Sequence, residues 1–367
     1  MKAEFTPCTF GESDADTAVM EHPEWFVGAG IGDARPGQLT YHGPQNVGVH
    51  IVEPIQGADP QRDGVIIIPR SYEAAYAPDV STDPRHDLEA KRDAVIANVL
   101  GKMVVGVDTP GFGLNPDAKP RAGHILTAVT GSMVPHAKVQ LEAIVAALKH
   151  ADMYNPRVER GLKLELLGYS MGNIAVVDML SQLDRYVPGS EVANLTLVEA
   201  VSDQNFNLIG DKGLLSAIAR ETNEENTNRY FAQNARNGLA VGYDREEDDF
   251  TQHHPDRESR QSVAKSRGSF TNLSIGAGMW RGWASRLAPE LAHHNITNVR
   301  ILRTNGSEVA REAQNNETAL YLAEVAPDVS LTTVVPEDGE TDHHHTIWQS
   351  LPAMAVLLHE LSVYTER

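Results

Sequence analysis

The chain has 367 residues, of which 41% are hydrophobic, so it is long enough to bury a core in one large domain or two ordinary ones. Its formal net charge of −19 argues against nucleic acid as a partner, because affinity for phosphates depends on clustered lysine and arginine side chains. No apolar run approaches the roughly 20 residues of a membrane-spanning helix, so we expect no membrane span.

The amino-terminal residues bear on the compartment. They contain no apolar stretch of signal-peptide length, and acidic residues follow at once. Cys8 is the one cysteine of the chain, so no internal disulfide can form, which suits a reducing environment. We therefore expect a cytoplasmic protein in which Cys8 has no catalytic role.

The first half of the chain predicts strands followed by a helix. Residues 38–54 predict two short strands around a Gly/Pro turn, and the β-branched runs at 64–69 and 102–108 suit strands buried on both faces. Between residues 135 and 150, apolar side chains recur at helical spacing, which indicates an amphipathic helix.

The alternation of strand and helix continues along the chain. Residues 162–167 predict a strand, residues 172–183 a helix and residues 195–201 the next strand. Strands that alternate with helices indicate an α/β protein with a mostly parallel central sheet covered by helices on both sides.

The alternation stops after Val201. Residues 203–294 contain no convincing buried strand, and they include two tryptophans, Trp280 and Trp283. We predict a mostly helical insertion at 203–294 and a core domain formed by residues 1–202 and 295–367. In the second part of that core, strands are predicted at 299–302 and 329–335, followed by a closing helix at 351–364.

A five-residue motif marks the junction of one predicted strand and helix. Residues 168–172 read Gly-Tyr-Ser-Met-Gly and match the pattern G-x-S-x-G. In such a turn the serine takes a strained conformation, the glycines leave room for neighbouring backbones, and the helix amino terminus favours developing negative charge. The motif therefore predicts Ser170 as a nucleophile, against the alternative of a Gly-rich turn with an incidental serine.

With these motifs, the chain from about residue 37 resembles the α/β-hydrolase family. Residues 104–113 resemble the family's strand and Asp-x-Pro-Gly-x-Gly turn, and residues 166–173 resemble its nucleophile elbow. The insertion at 203–294 lies where such enzymes carry a cap. The resemblance implies an α/β-hydrolase fold with a helical cap over the carboxyl edge of the sheet, and a carboxylesterase-like serine hydrolase. No motif for an organic cofactor is present, and we expect none.

The resemblance also implies an oxyanion hole. The backbone N–H groups of Met171 and of a residue in the loop 70–72, for which we choose Ser71, would stabilise the charge of the transition state. Two departures from the family pattern stand out. Pro69 and Arg70 replace the usual His-Gly, and Asn173 stands where a small residue is common.

The catalytic base is expected near the end of the chain. Asp342 and the three histidines at 343–345 follow the last predicted strand, where the family places its base. In many members of the family the base lies several residues before a proline that starts the final helix, so the resemblance implies His345, ahead of Pro352, with His344 as the alternative. Asp342 and two of these histidines could instead ligate a metal, but a dedicated site would add ligands from elsewhere, and we predict no metal.

The orienting acid is expected after the strand 299–302. Glu308 lies in the turn that follows it and agrees with the order Ser, acid, His. Asp203, just beyond the preceding strand, is the competing acid because some relatives use that position, and an ordinary exposed glutamate is the alternative for Glu308.

Together, a serine, a histidine and a carboxylate predict acyl chemistry on a small molecule, either an ester, a thioester or an amide. One alternative is acyl transfer to an acceptor other than water, including perhydrolysis. The other is a non-catalytic ligand-binding protein, which the altered residues at 69–70 keep open. The pattern determines neither the acyl chain of the substrate nor the oligomeric state.

Overall fold

The computed structural model describes residues 3–30, 38–43, 45, 47–60, 62–70, 88–110, 122–153, 161–201, 237–239, 282–336 and 346–365. Within these ranges, the strands are β1 (Glu4–Phe10), β2 (Gln38–His42), β3 (Gly48–Val52), β4 (Val65–Pro69), β5 (Met103–Val107), β6 (Lys163–Tyr169), β7 (Glu191–Val198), β8 (Asn298–Thr304) and β9 (Asp328–Pro336).

The helices of the same ranges are α1 (Glu12–Glu21), α2 (Leu88–Leu100), α3 (Ala122–Val129), α4 (Val134–His150), α5 (Gly172–Leu180), α6 (Leu183–Tyr186), α7 (Trp283–His293), α8 (Glu312–Leu322), α9 (Thr346–Gln349) and α10 (Leu351–Thr365). A short 3-10 helix spans Pro23–Phe26.

The nine strands of the described residues form one sheet in the order β1-β9-β8-β7-β6-β4-β5-β3-β2. Strand β3 runs antiparallel to both of its neighbours, and every other pair is parallel. The mostly parallel sheet predicted from the alternation of strands and helices is therefore confirmed. Because the parallel strands all end at one edge, the loops that follow them meet there, and we call this the carboxyl edge.

Strand β4 shows how the sheet is buried on both faces. All five of its residues are buried. Val65 and Ile67 pack into the apolar layer that contains α4, α5 and α7, whereas Ile66 and Ile68 pack into the layer that contains α2 and α10. Successive side chains of a strand point to opposite faces, so a continuous β-branched run is the sequence expected for a strand between two helical layers.

The sequence did not predict β1, which pairs in parallel with β9 at the edge of the sheet. Its residues are mostly exposed, so they lack the apolar pattern of a buried strand. Pro7 is tolerated there because an edge strand leaves some N–H positions without a ladder partner.

Most of the segment predicted as a helical insertion lies outside the described residues, and so does Trp280. The described end of the segment is α7, whose buried face joins the same apolar layer as α4 and α5. Trp283 at its start is buried, and its Nε1 donates to the Val201 carbonyl oxygen at 2.7 Å. The helical cap thus remains a prediction. Among the described helices, none is both long and apolar enough to cross a membrane.

Candidate functional site

The turn between β6 and α5 holds the predicted nucleophile. We call residues 168–172 the Ser170 turn. Ser170 directly follows β6, is partly exposed, and has a φ of +50°, in the left-handed region that residues other than glycine rarely adopt. Its N–H donates to the Val198 carbonyl oxygen at 3.0 Å, which ties the turn to the end of β7. Backbone strain of this kind is concentrated at functional sites.

The two glycines of the Ser170 turn are required by sterics. A Cβ on Gly168 would lie 2.7 Å from Oδ1 and 2.9 Å from the backbone N of Asn173. A Cβ on Gly172 would lie 2.6 Å from the carbonyl oxygen of Pro69, at the end of β4. Both contacts are too short for real Cβ atoms, so the turn can approach its neighbours only with glycine at these positions.

Asn173, which departs from the family pattern, braces the same turn. Its side chain is buried, and Nδ2 donates to the carbonyl oxygens of Ser170 at 2.9 Å and Val198 at 3.0 Å. The amide thus links the strained residue to the neighbouring strand. A small residue at this position could not make these bonds.

One of the two predicted oxyanion donors, Met171, lies within the described residues. Met171 is the residue before α5, and within the described ranges no acceptor is bonded to its N–H. The N–H of Arg70 donates to the Val107 carbonyl oxygen at 2.8 Å, so it is already used. A donor from this loop must therefore come from a later residue. Ser71, our choice, lies outside the described residues.

The structure explains why arginine can occupy position 70. Its guanidinium is buried and forms an ion pair with Asp93 of α2, and His50 Nδ1 of β3 lies 3.3 Å from the same carboxylate oxygen. Gly106 of β5 makes room, since a Cβ there would lie 2.4 Å from Arg70 Nη2. The loop 70–72 therefore begins at a residue whose side chain is held by a buried ion pair with α2.

The predicted bases, His344 and His345, lie outside the described residues, but the chain immediately after them is described. Helix α9 begins at Thr346, and Trp348 stacks on Tyr169 with ring centroids 4.6 Å apart and planes within 6°. Tyr169 directly precedes Ser170. The structure thus holds the residue three positions after His345 beside the residue before the predicted nucleophile.

A buried arginine of α2 fixes that contact. Arg92 lies over the Trp348 ring, 4.5 Å from its centroid, and its Nε donates to the Trp348 carbonyl oxygen at 2.6 Å. A cation over an indole ring and a charge-assisted hydrogen bond both favour one orientation of the tryptophan. The start of α9 is therefore well anchored.

Of the two predicted acids, only Glu308 lies within the described residues. Glu308 lies in the loop after β8, as expected, and is half-buried, while its carbonyl oxygen accepts from Arg311 Nε at 3.1 Å. Asp203 lies outside the described residues.

A third carboxylate, Glu199, was missed because the sequence placed it inside the strand 195–201. Strand β7 ends at Val198, and Glu199 follows with a φ of +48° and no exposed surface. Its N–H donates to the Leu302 carbonyl oxygen at 2.7 Å, and its Oε1 accepts from the Thr304 N–H. A charged residue near the end of an otherwise apolar strand is the signal that could have identified it.

The negative charge of Glu199 acts on a buried arginine of the next strand. Burial lowers the pKa of Arg303 below its ordinary value, and the negative charge of Glu199 opposes that shift. Arg303 Nε also donates to the Ala310 carbonyl oxygen at 3.0 Å. Glu199 is therefore well placed to brace the ends of β7 and β8.

Two further buried groups lie in the helices and were not predicted from sequence. Burial lowers the pKa of His136 in α4 to about 3, assisted by the neighbouring His124. Burial raises the pKa of Asp178 in α5 to about 6, against the opposing effects of Arg286 and the Met133 N–H. Neither group is in a loop at the carboxyl edge.

Comparisons with known proteins found distant similarities. Among solved structures, the chain is similar to the bromoperoxidase from Bacillus anthracis, with 12% identity over 89% of this chain and 100% of that chain and a TM-score of 0.46. It is also similar to carboxyl esterase 2 from the fungus Tuber melanosporum, with 11% identity, 96% and 97% coverage and a TM-score of 0.44. No family model and no curated protein matches the chain.

The architecture itself gives the classification. From β2 to β9 the sheet has one antiparallel strand, β3, the neighbouring pair β4 and β5 in exchanged order, and the serine turn at the end of β6. A strained serine between a strand and a helix at the carboxyl edge of such a sheet is the arrangement of the α/β-hydrolase family. The resemblance found in the sequence is thus confirmed at the level of architecture: the chain has the α/β-hydrolase fold.

Proposed function

We propose that this protein is a carboxylesterase-like serine hydrolase that cleaves an ester, a thioester or an amide of a small molecule through an acyl-enzyme. The observation that carries the proposal is the strained Ser170, held at a φ of +50° between two glycines that admit no Cβ. A left-handed residue other than glycine costs about 1–3 kcal/mol, and a nucleophile elbow gives that cost a purpose.

In the first half of the reaction, Ser170 Oγ attacks the acyl carbonyl carbon while the imidazole of His345 accepts the hydroxyl proton. The carbonyl oxygen becomes negatively charged, and the N–H groups of Met171 and Ser71 donate to it. Collapse of the tetrahedral intermediate expels the alcohol, thiol or amine, which takes the proton from the imidazolium. The acyl group is then bonded to Ser170.

In the second half, water replaces the leaving group. His345 accepts a proton from the water, whose oxygen attacks the acyl carbonyl carbon, and the proton then passes to Ser170 Oγ as the carboxylic acid departs. The anchored stacking of Trp348 on Tyr169 supports this assignment of the base, because it holds the following helix beside the Ser170 turn. His344 is the alternative base.

For the orienting acid we propose Glu308. Its side chain is half-buried, as suits a carboxylate that must reach an imidazole at a substrate site. Glu199 already accepts from the Thr304 N–H and lies near Arg303, which favours a bracing role for it. Asp203 remains the competing acid from the loop after β7. We further propose that the insertion beginning at residue 203 forms the cap that lines the acyl pocket.

The test is covalent labelling of the full chain with a fluorophosphonate probe, together with hydrolysis of p-nitrophenyl esters of graded chain length. Ser170→Ala should abolish both and leave the fold intact, because it removes one hydroxyl from a turn whose geometry is set by glycines. Ser181→Ala is the matched control, since Ser181 lies at the other end of α5 and its Oγ donates to the Asp178 carbonyl oxygen at 2.8 Å.

The same experiment separates the alternatives. Labelling of Ser170 with transfer of the acyl group to an added alcohol or peroxide, in preference to water, would indicate an acyltransferase or perhydrolase. A parent chain that neither labels nor turns over any ester would refute the hydrolase proposal and favour a ligand-binding protein. Equal turnover by Ser170→Ala would refute Ser170 as the nucleophile.

A further inference from the structure

A cluster of one carboxylate and two imidazoles lies where α6 meets the end of α7. Asp184 belongs to α6, His293 is the last residue of α7, and His294 follows it. One donor atom from each side chain lies within 4.8 Å of the other two. We propose that Asp184, His293 and His294 bind one divalent transition-metal ion, and that zinc is the ion that suits them.

The tautomer of His294 carries the argument. Its Nε2 lies 2.9 Å from the Leu180 carbonyl oxygen, which can only accept, so Nε2 holds a proton. In the neutral ring, Nδ1 then presents a lone pair, and it faces Asp184 Oδ1 at 3.9 Å. Two acceptors that face each other at this distance make no hydrogen bond, whereas a cation between them would bind to both.

This arrangement is the one that metal-ligating histidines use. A ligating imidazole usually donates its second ring N–H to a carboxylate or backbone carbonyl, which fixes the ring and its tautomer. The Leu180 carbonyl oxygen provides that partner here. The side chain of His294 is only 6% exposed, so its ring is held in place by packing as well.

The other two ligands can move to complete the shell. The side chains of His293 and Asp184 are 61% and 62% exposed, and His293 Nε2 donates to Asp184 Oδ2 at 2.8 Å, so the ion would take the place of this proton. Tetrahedral zinc with bonds of about 2.0–2.2 Å needs donor atoms roughly 3.4 Å apart. Binding would therefore require the exposed side chains of His293 and Asp184 to rotate toward His294, with water as the fourth ligand.

Charge and donor type favour such an ion. The ligands lie at the carboxyl terminus of α7, where the helix dipole attracts cations. Two imidazoles and one carboxylate suit zinc, nickel or copper better than calcium or magnesium, which prefer oxygen ligands.

The consequence would be structural. The ion would join α6 to the end of α7, and the Leu180 contact extends the link to the end of α5. Leu180 lies eight residues along that helix from Gly172, about 12 Å at the helical rise, so the ion would not touch a substrate at Ser170. An ion that binds the native state and not the unfolded state raises the free energy of unfolding.

The experiment titrates zinc chloride into the chelator-treated full chain near neutral pH. Calorimetry should show a saturable site, and the melting temperature should rise with zinc. Asp184→Asn keeps the shape of an exposed side chain and should lose one equivalent of bound zinc and the shift in melting temperature. His22→Ala, which removes an exposed histidine paired with Glu24, should retain both.

The histidines at 343–345 provide the competing site. Absence of saturable binding by the parent chain would overturn the proposal, and so would an Asp184→Asn variant that binds as much zinc as the parent. It would also be overturned if a His344→Ala/His345→Ala variant lost all binding. Ester hydrolysis by the zinc-free chain plays no part in these outcomes, so the proposed enzymatic function stands or falls separately.

Discussion

The turns after β6 and β7 are neighbours at the carboxyl edge of the sheet, and each begins with a non-glycine residue in the left-handed region. Ser170 has a φ of +50° and Glu199 a φ of +48°. The serine is partly exposed, whereas the glutamate is fully buried and bonded to the Thr304 N–H. The same backbone conformation thus leaves the side chain partly exposed in the first turn and buries it in the second.

The loop after β8 differs from both. There the left-handed position belongs to Gly306, with a φ of +80°, so no side chain is held by backbone strain. Ser307 is buried and its Oγ accepts from the Ala310 N–H at 3.0 Å, while Glu308 remains half-buried. Backbone strain therefore does not by itself identify the acid, but Glu308 is half-buried whereas Glu199 has no exposed surface.

The largest expected effect tests whether Glu308 or Glu199 is the orienting acid. Glu308→Gln should lower kcat by about 10²- to 10⁴-fold, because an amide cannot hold the imidazole in the required tautomer. Glu199→Gln should keep kcat within about tenfold of the parent but lower the urea midpoint, because a buried charge-assisted hydrogen bond is lost. Asp203→Asn is the control for the third candidate. Reversed results for the two glutamates would make Glu199 the acid.

The second prediction concerns the glycines of the Ser170 turn. Gly168→Ala and Gly172→Ala should each destabilise the protein by about 1–3 kcal/mol, because their Cβ atoms would meet Asn173 and the Pro69 carbonyl oxygen at distances under 3 Å. Both should also lose ester hydrolysis. Urea unfolding and esterase assays measure the two effects.

Gly123 in α3 provides the matched control. No atom of the described residues lies within 4 Å of a Cβ placed there, so Gly123→Ala should be neutral or slightly stabilising, since alanine is the better helix former. If Gly172→Ala behaved like Gly123→Ala, the close approach between the Ser170 turn and β4 would be wrong.

The third prediction is that a buried ionisable group without backbone strain changes the free energy of unfolding and leaves kcat unchanged. The pKa of His136 falls from 6.5 to about 3 on folding, so the unfolded state binds more protons between these values. This group therefore contributes stability above pH 6.5 that is lost as the pH falls toward 3. His136→Leu should flatten that loss in unfolding titrations from pH 4 to 7, with kcat unchanged.

Asp178 should show the opposite sign. Its pKa rises from 3.8 to about 6 on folding, so its contribution is fully present below pH 3.8 and is lost as the pH rises through 6. Asp178→Asn should therefore make stability rise more steeply with pH than in the parent. Equal slopes in the parent and both variants would show that neither group is buried as described.

The smallest expected effect measures the strain itself. Ser170→Gly should be more stable than Ser170→Ala by about 0.5–1 kcal/mol, because glycine adopts a φ of +50° without steric cost and its greater entropy in the unfolded state offsets only part of that gain. Both variants lack the hydroxyl and should be inactive, so activity does not confound the comparison. An alanine variant as stable as the glycine variant would argue against a left-handed conformation at this position.

Sequence reasoning recovered the parts of the molecule whose signals are local. The β-branched runs predicted β4 and β5, the helical spacing predicted α4, and the Gly-x-Ser-x-Gly motif at a strand-to-helix junction predicted the strained Ser170. It missed β1, because an edge strand with mostly exposed residues has no apolar alternation.

It also misjudged where β7 ends. A strand carries the same period-two pattern up to its last residue, so Glu199 looked like a member of the strand 195–201. Only the structure shows that the backbone leaves the sheet after Val198 and turns the carboxylate into the protein.

By itself, the sequence determined the class of sheet, the two-sided burial of its central strands and the position of the serine turn. Periodicity and turn chemistry depend on residues a few positions apart, so they can be read directly from the chain. The tertiary structure alone decided the pairings between distant residues: Arg70 with Asp93, Trp348 with Tyr169, and Asp184 with His293 and His294. These depend on which elements become neighbours when the sheet is assembled, and no local pattern records that.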